Sequence, residues 1–301
     1  MKKLAFILFL TFVSPAFVFG QSYIADMGRE SARSDKLTGG KIEKKLLVPG
    51  DGRIKITINV PAFQMTLWQD GKEIKSYPVG LGMPEYPIVI GIREATSIEW
   101  NPVWVPPSSD WIEKSSTVKP GEVVLPTDPR NPLGKVKIPL GYGYLIHQAK
   151  GPGDMGSLVS HGCVRVMRAD IYDLSEKIVA ARSLDVPPAI IAAAKRNKKT
   201  LIALLDPIVP VEITYDTIVV EGGRLNIYPD VYNHRRNTVE NVRRELQTSG
   251  VDDKNLSDGQ IKRMLAIAVG KRKYVVDVAS IRNGRTAATG LVSAVVSSNT
   301  R

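Results

Sequence analysis

Cysteine is nearly missing from this chain: its 301 residues contain one, Cys163. A single cysteine excludes an internal disulfide, so the fold must rest on its packed core. Histidine is scarce as well, with only His147, His161 and His234. Beyond the first twenty residues no apolar run approaches the ~20 residues that a membrane-spanning helix needs. Acidic residues are in deficit, 30 against 41 Lys and Arg, which leaves a formal charge of +11. There is no internal repeat and no low-complexity tract. Glycine (25) and proline (20) are plentiful and aromatics moderate at 7%, a composition that suits a β-rich globular protein and not a disordered one.

What is present begins with "MKKLAFILFLTFVSPAFVFG", in which Lys2 and Lys3 precede an apolar run from Leu4 to Phe19. This layout predicts a secretory signal peptide over residues 1–20, cleaved after Gly20. An uncleaved anchor is the alternative, but the run is short for a span, and Ser14 and Pro15 interrupt it. A lipid-bearing cysteine at the cleavage site is excluded, because the only cysteine is Cys163. The expectation is therefore an exported protein of the periplasm or cell envelope. There an unpaired thiol is a liability unless it is buried or used. A basic exported protein meets anionic headgroups and wall polymers. Residues 251–301 carry nine Lys and Arg against four Asp and Glu. They suit docking on an anionic wall or membrane, or simply a solvated basic face. No nucleic-acid partner is expected.

Residues 21–50 are polar and read as a linker. Order should begin near Arg53, where "RIKITINV" alternates as a strand does. "QMTLWQDGKEIKSYPVG" reads as a hairpin, because Asp70-Gly71 suits a type I′ turn. "YPIVIGIREA" reads as another strand, and "IEWNPVWVPPSSDW", with three of the four tryptophans, as a long proline-broken loop packed over the core or lining a groove. "GYGYLIHQA" returns to strand. "RADIYDLSEKIVAARS" places Ile171, Leu174, Ile178 and Val179 at helical spacing. The texture changes from Asp185. "PPAIIAAAKRNKKT" reads as a helix, and "TIVVEGGRLNIYPD" as a hairpin around Gly222-Gly223. Two helices follow, one capped by Asn237 and Glu240 and stopped by Gly250, the next capped by Ser257 and Gln260 and stopped by Gly270. "KYVVDVASI" reads as the last strand, and the final ten residues as frayed. The expected organisation is a catalytic domain over 51–184 and a smaller α+β region over 185–301.

The residues that could carry chemistry lie around "SHGCVRV", Ser160 to Val166. A thiol nucleophile needs a base or a cation nearby, because the thiolate is the reactive form. His147, at the end of the predicted strand "YLIH", and His161 are the candidates. Acyl transfer also needs donors aimed at the developing oxyanion. Backbone N–H groups at Gly162 and Cys163 suit that role, since glycine lets the chain turn tightly. Other readings of the same residues stand beside this one. Cys163 could be an inert buried thiol. His147, His161 and Cys163 could hold zinc, although His-x-Cys is not a usual ligand spacing. A redox sensor would want a resolving cysteine, and Arg165 could be an ordinary surface residue.

The run "IHQAKGPGDMGSLVSHGCVRV", Ile146 to Val166, resembles the signature of the L,D-transpeptidases, the YkuD-type peptidoglycan-modifying enzymes. That signature is a histidine, a dozen or more residues, then Ser/Thr-His-Gly-Cys, an apolar residue and Arg or Asn. Here twelve residues separate His147 from Ser160. "NPVWVPP" and "NPLG" (Asn131 to Gly134) are also similar to runs in the family, as is "VPVEITYDTIVVEGGRLNIYPDV" to the strand pair that follows its catalytic domain. The chain departs from the pattern at Gln148, where the family usually has glycine. The resemblance implies a mainly β fold, with a β-sandwich catalytic domain carrying one or two helices. It implies Cys163 as nucleophile and His147 as general base, the latter often oriented by a backbone carbonyl. Gly162 and Cys163 would supply oxyanion donors, and Ser160 and His161 would shape the site. Arg165 would hold position or bind a substrate carboxylate, with Trp104 and Tyr144 as further substrate contacts. No metal or cofactor is expected. The implied substrates are peptidoglycan stem peptides: a tetrapeptide donor, with diaminopimelate or a protein lysine as acceptor. An L,D-carboxypeptidase or endopeptidase, or a non-catalytic wall-binding protein, are the alternatives.

Overall fold

A computed structural model describes residues 54–182 and 186–296. The predicted signal peptide and linker lie outside the described residues. Two antiparallel strands open the fold, β1 (Ile54–Asn59) and β2 (Gln64–Gln69), and β3 (Lys72–Gly82) returns beside β2. Asp70 (φ 50°) and Gly71 (φ 74°) both take positive φ between β2 and β3, as the type I′ reading of that hairpin requires. β4 (Gly91–Trp100) follows, then a short helix α1 (Asp110–Glu113), β5 (Val136–Pro139), β6 (Leu145–Gln148), β7 (Leu158–Ser160) and β8 (Val164–Val166). Helices α2 (Arg168–Ala181) and α3 (Pro188–Arg196) precede a 14-residue strand, β9 (Leu201–Thr214).

These nine strands form one sheet in the order β2-β1-β9-β4-β5-β6-β8-β3-β7. Because β2 also pairs with β3, the ladder closes on itself. The two layers expected of a sandwich are thus one sheet curled around its core. The long strand β3 makes the closure: its first half pairs with β2, and Val79 and Gly80 pair with β8. Inside lie Ile56, Ile58, Met65, Tyr77, Ile98, Trp100, Ile146 and Val164, all fully buried. Helix α2 packs onto this core through Ile171, Leu174, Ile178 and Val179, the four residues read from its spacing.

The structure differs from the sequence reading in several places. The strand expected over Tyr86–Ala95 starts at Gly91 and runs on to Trp100, so Ile98–Trp100 belong to it and not to the loop. The remaining loop packs over the protein, as read from the sequence. It packs Trp104, Ile112, Val118, Val124 and Leu133 into a satellite core, with Trp104 and Val124 bridged by backbone hydrogen bonds. Asn101 and Asn131, from the two Asn-Pro runs, pin its ends. Asn101 Nδ2 donates to the carbonyls of Ala194 and Lys199, and Asn131 Nδ2 to those of Pro102, Val124 and Leu125.

A second sheet holds β10 (Ile218–Glu221), β11 (Arg224–Ile227), β12 (Arg272–Asp277) and β13 (Leu291–Ala294), all antiparallel. Helices α4 (Val239–Thr248) and α5 (Asp258–Ile267) bury Val242, Leu246, Ile261 and Met264 against it. The N-cap of α4 is Thr238, whose hydroxyl accepts from the Asn241 N–H, while Asn237 instead donates to the Tyr228 carbonyl. The Ser257–Gln260 capping box of α5 is formed in full. The stretch read as a last strand splits into β12 and a helical turn, Val278–Arg282, and β13 starts one residue ahead of the ten-residue tail read as frayed and runs into it. A boundary at residue 184 does not divide the structure. β9 lies inside the large sheet, between β1 and β4, and both sheets belong to one compact unit.

Candidate active site

The site is built where two parallel strands, β6 and β8, lie side by side. Their register pairs Ile146 with Val164 and His147 with Arg165. In a parallel pair, partners point to the same face and alternate along the strand. Ile146 and Val164 therefore enter the core, and His147 and Arg165 share the other face. Cys163, one residue before Val164, falls on that face too. The connection through residues 149–163 thus returns the cysteine to the same face of the strand next to the one that carries His147.

His147 is buried, with 4% of its surface exposed. Its Nδ1 lies 3.0 Å from the Gln148 carbonyl oxygen. A carbonyl can only accept, so Nδ1 carries the proton and Nε2 is left as the basic nitrogen. Burial, and then the positive charge of Arg165, push the His147 pKa from 6.5 down to about 4. The ring is therefore neutral at neutral pH. Cys163 is partly exposed and unpaired. Burial raises its pKa; a backbone hydrogen bond from Leu145 and the charge of Arg165 act the other way without prevailing. The resting pair is thiol and neutral imidazole.

The turn that carries Cys163 is held at several points. Ser160 Oγ donates to the Cys163 carbonyl at 2.6 Å, and the Ser160 carbonyl accepts from the Met83 N–H at 2.9 Å. Gly162 has φ 102°, where a side chain would be strained, and a Cβ there would sit 2.8 Å from Tyr144 Cε1. Tyr144 thus lies flat against the glycine. Its pKa is raised, first by burial and in part by the nearby Cys163. The exposed His161 ring rests on two aromatics: Trp111 stacks on it at 4.2 Å and 10°, and Tyr86 meets it edge-on at 4.7 Å. Arg165 Nη1 is 3.2 Å from Asp154 Oδ2, with both side chains largely buried. Asp154 also accepts from the Lys150 N–H.

Of the residues singled out from sequence, His147, Ser160, His161, Gly162, Cys163, Arg165 and Tyr144 come together here. Trp104 does not reach the surface of the site. It is 8% exposed within the satellite core, and its ring lies 6.5 Å from that of Trp111. Trp111, Tyr86 and Asp154 were not legible as site residues. Their roles depend on how three separate loops converge, and no local pattern encodes that. Gln148, the departure from the family pattern, has a place of its own. Its side chain lies over Gly134, and Oε1 accepts from the Lys135 N–H at 3.0 Å. Among the described residues, no three His, Cys, Asp or Glu side chains cluster as a metal site would require.

The site thus holds an unpaired thiol and, on the same face of the neighbouring strand, a carbonyl-oriented neutral imidazole, within a mainly β scaffold. Residues 53–202 match the YkuD family model, the L,D-transpeptidase catalytic domain, and the chain belongs to that family. It is 25% identical over 186 residues to the probable L,D-transpeptidase YbiS of Escherichia coli K12, covering 58% of each chain. It is 28% identical over 143 residues to the probable L,D-transpeptidase ErfK/SrfK of Salmonella typhimurium, covering 46% of this chain and 45% of the other. The chain thus spans roughly half the length of these relatives. Among solved structures it is similar to an L,D-transpeptidase from Mycobacterium smegmatis at 17% identity and a TM-score of 0.36, over 54% of this chain and 58% of that one.

Proposed function

We propose that the protein is an exported L,D-transpeptidase that acts on peptidoglycan stem peptides through a thioester on Cys163. The observation that supports this best is the tautomer of His147. With Nδ1 donating to the Gln148 carbonyl, Nε2 faces the reaction as a neutral base. It takes the Cys163 proton as sulfur attacks the carbonyl of the bond before the terminal D-Ala of a tetrapeptide stem. The oxyanion forms against the N–H groups of Gly162 and Cys163, as such sites require. His147 then gives its proton to the departing D-Ala amine, and the acyl group stays on sulfur. An acceptor amine attacks the thioester, loses a proton to His147, and regenerates the thiol. Diaminopimelate of a second stem would give a 3→3 cross-link, and a protein lysine would give a tethered protein. Water would give an L,D-carboxypeptidase. Trp111 and Tyr86, around His161, line the site in the place first given to Trp104, and Tyr144 backs the oxyanion glycine. Arg165 serves two ends: it is held by Asp154, and its charge favours the thiolate as it forms.

The test is incubation with tetrapeptide muropeptides and mass spectrometry of the products, with Cys163→Ala as control. Dimers joined 3→3 support the transpeptidase and tripeptides alone the carboxypeptidase. Unchanged substrate with both proteins leaves the wall-binding alternative.

A further inference from the structure

We infer that Tyr232, in the second half of the chain, is a positioning residue for the active site. The inference rests on the functional reading above for what is positioned, and on separate contacts for how. The loop Gly82–Ile88, which follows β3, touches the site at three points. Met83 N–H donates to the Ser160 carbonyl. The Tyr86 ring packs edge-on against His161. Gly82 lies so close to the cysteine turn that a Cβ on it would be 3.0 Å from Gly162 Cα and 2.2 Å from the Tyr86 carbonyl oxygen. Any shift of this loop therefore moves the residues flanking Cys163.

The Tyr232 hydroxyl closes the base of that loop. It donates to the Gly82 carbonyl at 2.9 Å and accepts from the Ile88 N–H at 3.4 Å. Among the described residues it is the one side chain hydrogen-bonded to the backbone of residues 82–88. Burial pushes its pKa up to about 12, so the phenol remains a donor across the physiological range. Tyr232 is itself held firmly. Its N–H donates to Tyr215 Oη at 2.7 Å, and that hydroxyl donates to Asp230 Oδ1 at 2.6 Å. Asp230 also accepts from the N–H groups of His234 and Arg236. His234, the third histidine, packs its ring on Tyr215 at 4.4 Å and near Tyr232 at 5.8 Å. The bracket Tyr215–Asp230–Tyr232–His234 thus has a rigid inner end and a single polar tip, and the tip grips the loop.

The test compares Tyr232→Phe with Tyr228→Phe. Tyr228 sits in the same segment but its hydroxyl bonds Glu221 and contacts no active-site loop. Three readouts apply: amide hydrogen exchange over 82–88, the NMR shifts of the His161 ring protons, and kcat and KM on a tetrapeptide donor. In Tyr232→Phe, exchange at Met83 and Tyr86 should quicken about tenfold, the scale of one lost hydrogen bond. The His161 protons, shifted by the Trp111 and Tyr86 rings, should move toward unperturbed values. kcat should fall about tenfold with KM little changed, since a misplaced reacting group slows chemistry more than binding. Tyr228→Phe should match wild type in all three. Unchanged exchange and unchanged His161 shifts in Tyr232→Phe would overturn the inference, as would equal losses in both variants. If wild type does not turn over the donor, the functional reading fails, and the exchange and NMR arms still decide whether Tyr232 holds the site.

Discussion

At the scale of single residues, the proposed chemistry turns on one imidazole kept neutral. Burial places the folded pKa of His147 near 4, below its ordinary 6.5. Between those values the unfolded chain binds more protons than the folded one. Stability from this group is therefore present above pH 6.5 and is lost as pH falls toward 4. The same shift moves the acid limb of the rate: kcat/KM should hold down to about pH 5 and fall near pH 4, not near 6.5. A pH–rate profile beside thermal melts at each pH checks both, and His147→Gln should flatten the acid loss of stability. A rate that halves near pH 6.5 would show that the imidazole is not shielded as described. Cys163 and His147 were legible in the sequence because a strand and a tight glycine turn fix them locally. The tryptophan at the site was not. Trp104 and Trp111 sit seven residues apart in one loop, and only the packing of that loop sends the first inward and the second against His161.

At the scale of elements, the pairing of Gln148 with Gly134 holds the residue whose carbonyl accepts from His147. The Gln148 side chain occupies the space a Cβ on Gly134 would fill, 2.7 Å from its Cβ and Cδ. Its amide oxygen is tied to Lys135 N–H, and its own carbonyl accepts the hydrogen bond from His147 Nδ1–H. The two positions should therefore be coupled. Gly134→Ala alone meets both a strained φ of +69° and the Gln148 side chain, and should destabilise by roughly 2 kcal/mol or more. In Gly134→Ala/Gln148→Gly the collision is gone and only the backbone strain remains. The double variant should thus be more stable than the sum of the single losses by about 1 kcal/mol, the scale of contacting residues. Denaturant melts of the four proteins measure this directly, and strict additivity would show that the two side chains do not meet. Most elements were readable from alternation, helical spacing and paired glycines. The exceptions share a cause. β4 runs through Trp100 because its last residues pair with β5 and β9, and Thr238 caps α4 because Asn237 is drawn off to Tyr228. Long-range partners decided both.

At the scale of the whole molecule, the sequence suggests a division at 184 that the sheet does not respect. β9 is read poorly from sequence because Pro207 and Pro210 break its pattern, yet it is an interior strand between β1 and β4. It buries Ala203, Leu205, Val209, Val211 and Ile213 in the main core. Each large apolar side chain contributes on the order of 1.5–3 kcal/mol, so together they approach the whole stability of a typical domain, about 5–15 kcal/mol. A chain ending at residue 184 would also leave the edges of β1 and β4 unpaired, which invites aggregation. It should give no cooperative melt. A chain ending at 216 retains the closed sheet and helices α1, α2 and α3, and should fold with native-like circular dichroism. It lacks the bracket around Tyr232, and so should show fast exchange over 82–88 and little turnover. It also lacks Lys271, whose Nζ meets Ser157 Oγ at 2.7 Å, and Val296, which covers Gly156 just ahead of β7. The second half of the chain thus leans on both loops that flank the cysteine turn. A 216-residue chain that folds and works at the full rate would show that the catalytic sheet needs nothing from the rest. One that folds but works poorly would locate in residues 217–301 a function of support that their basic charge alone does not suggest.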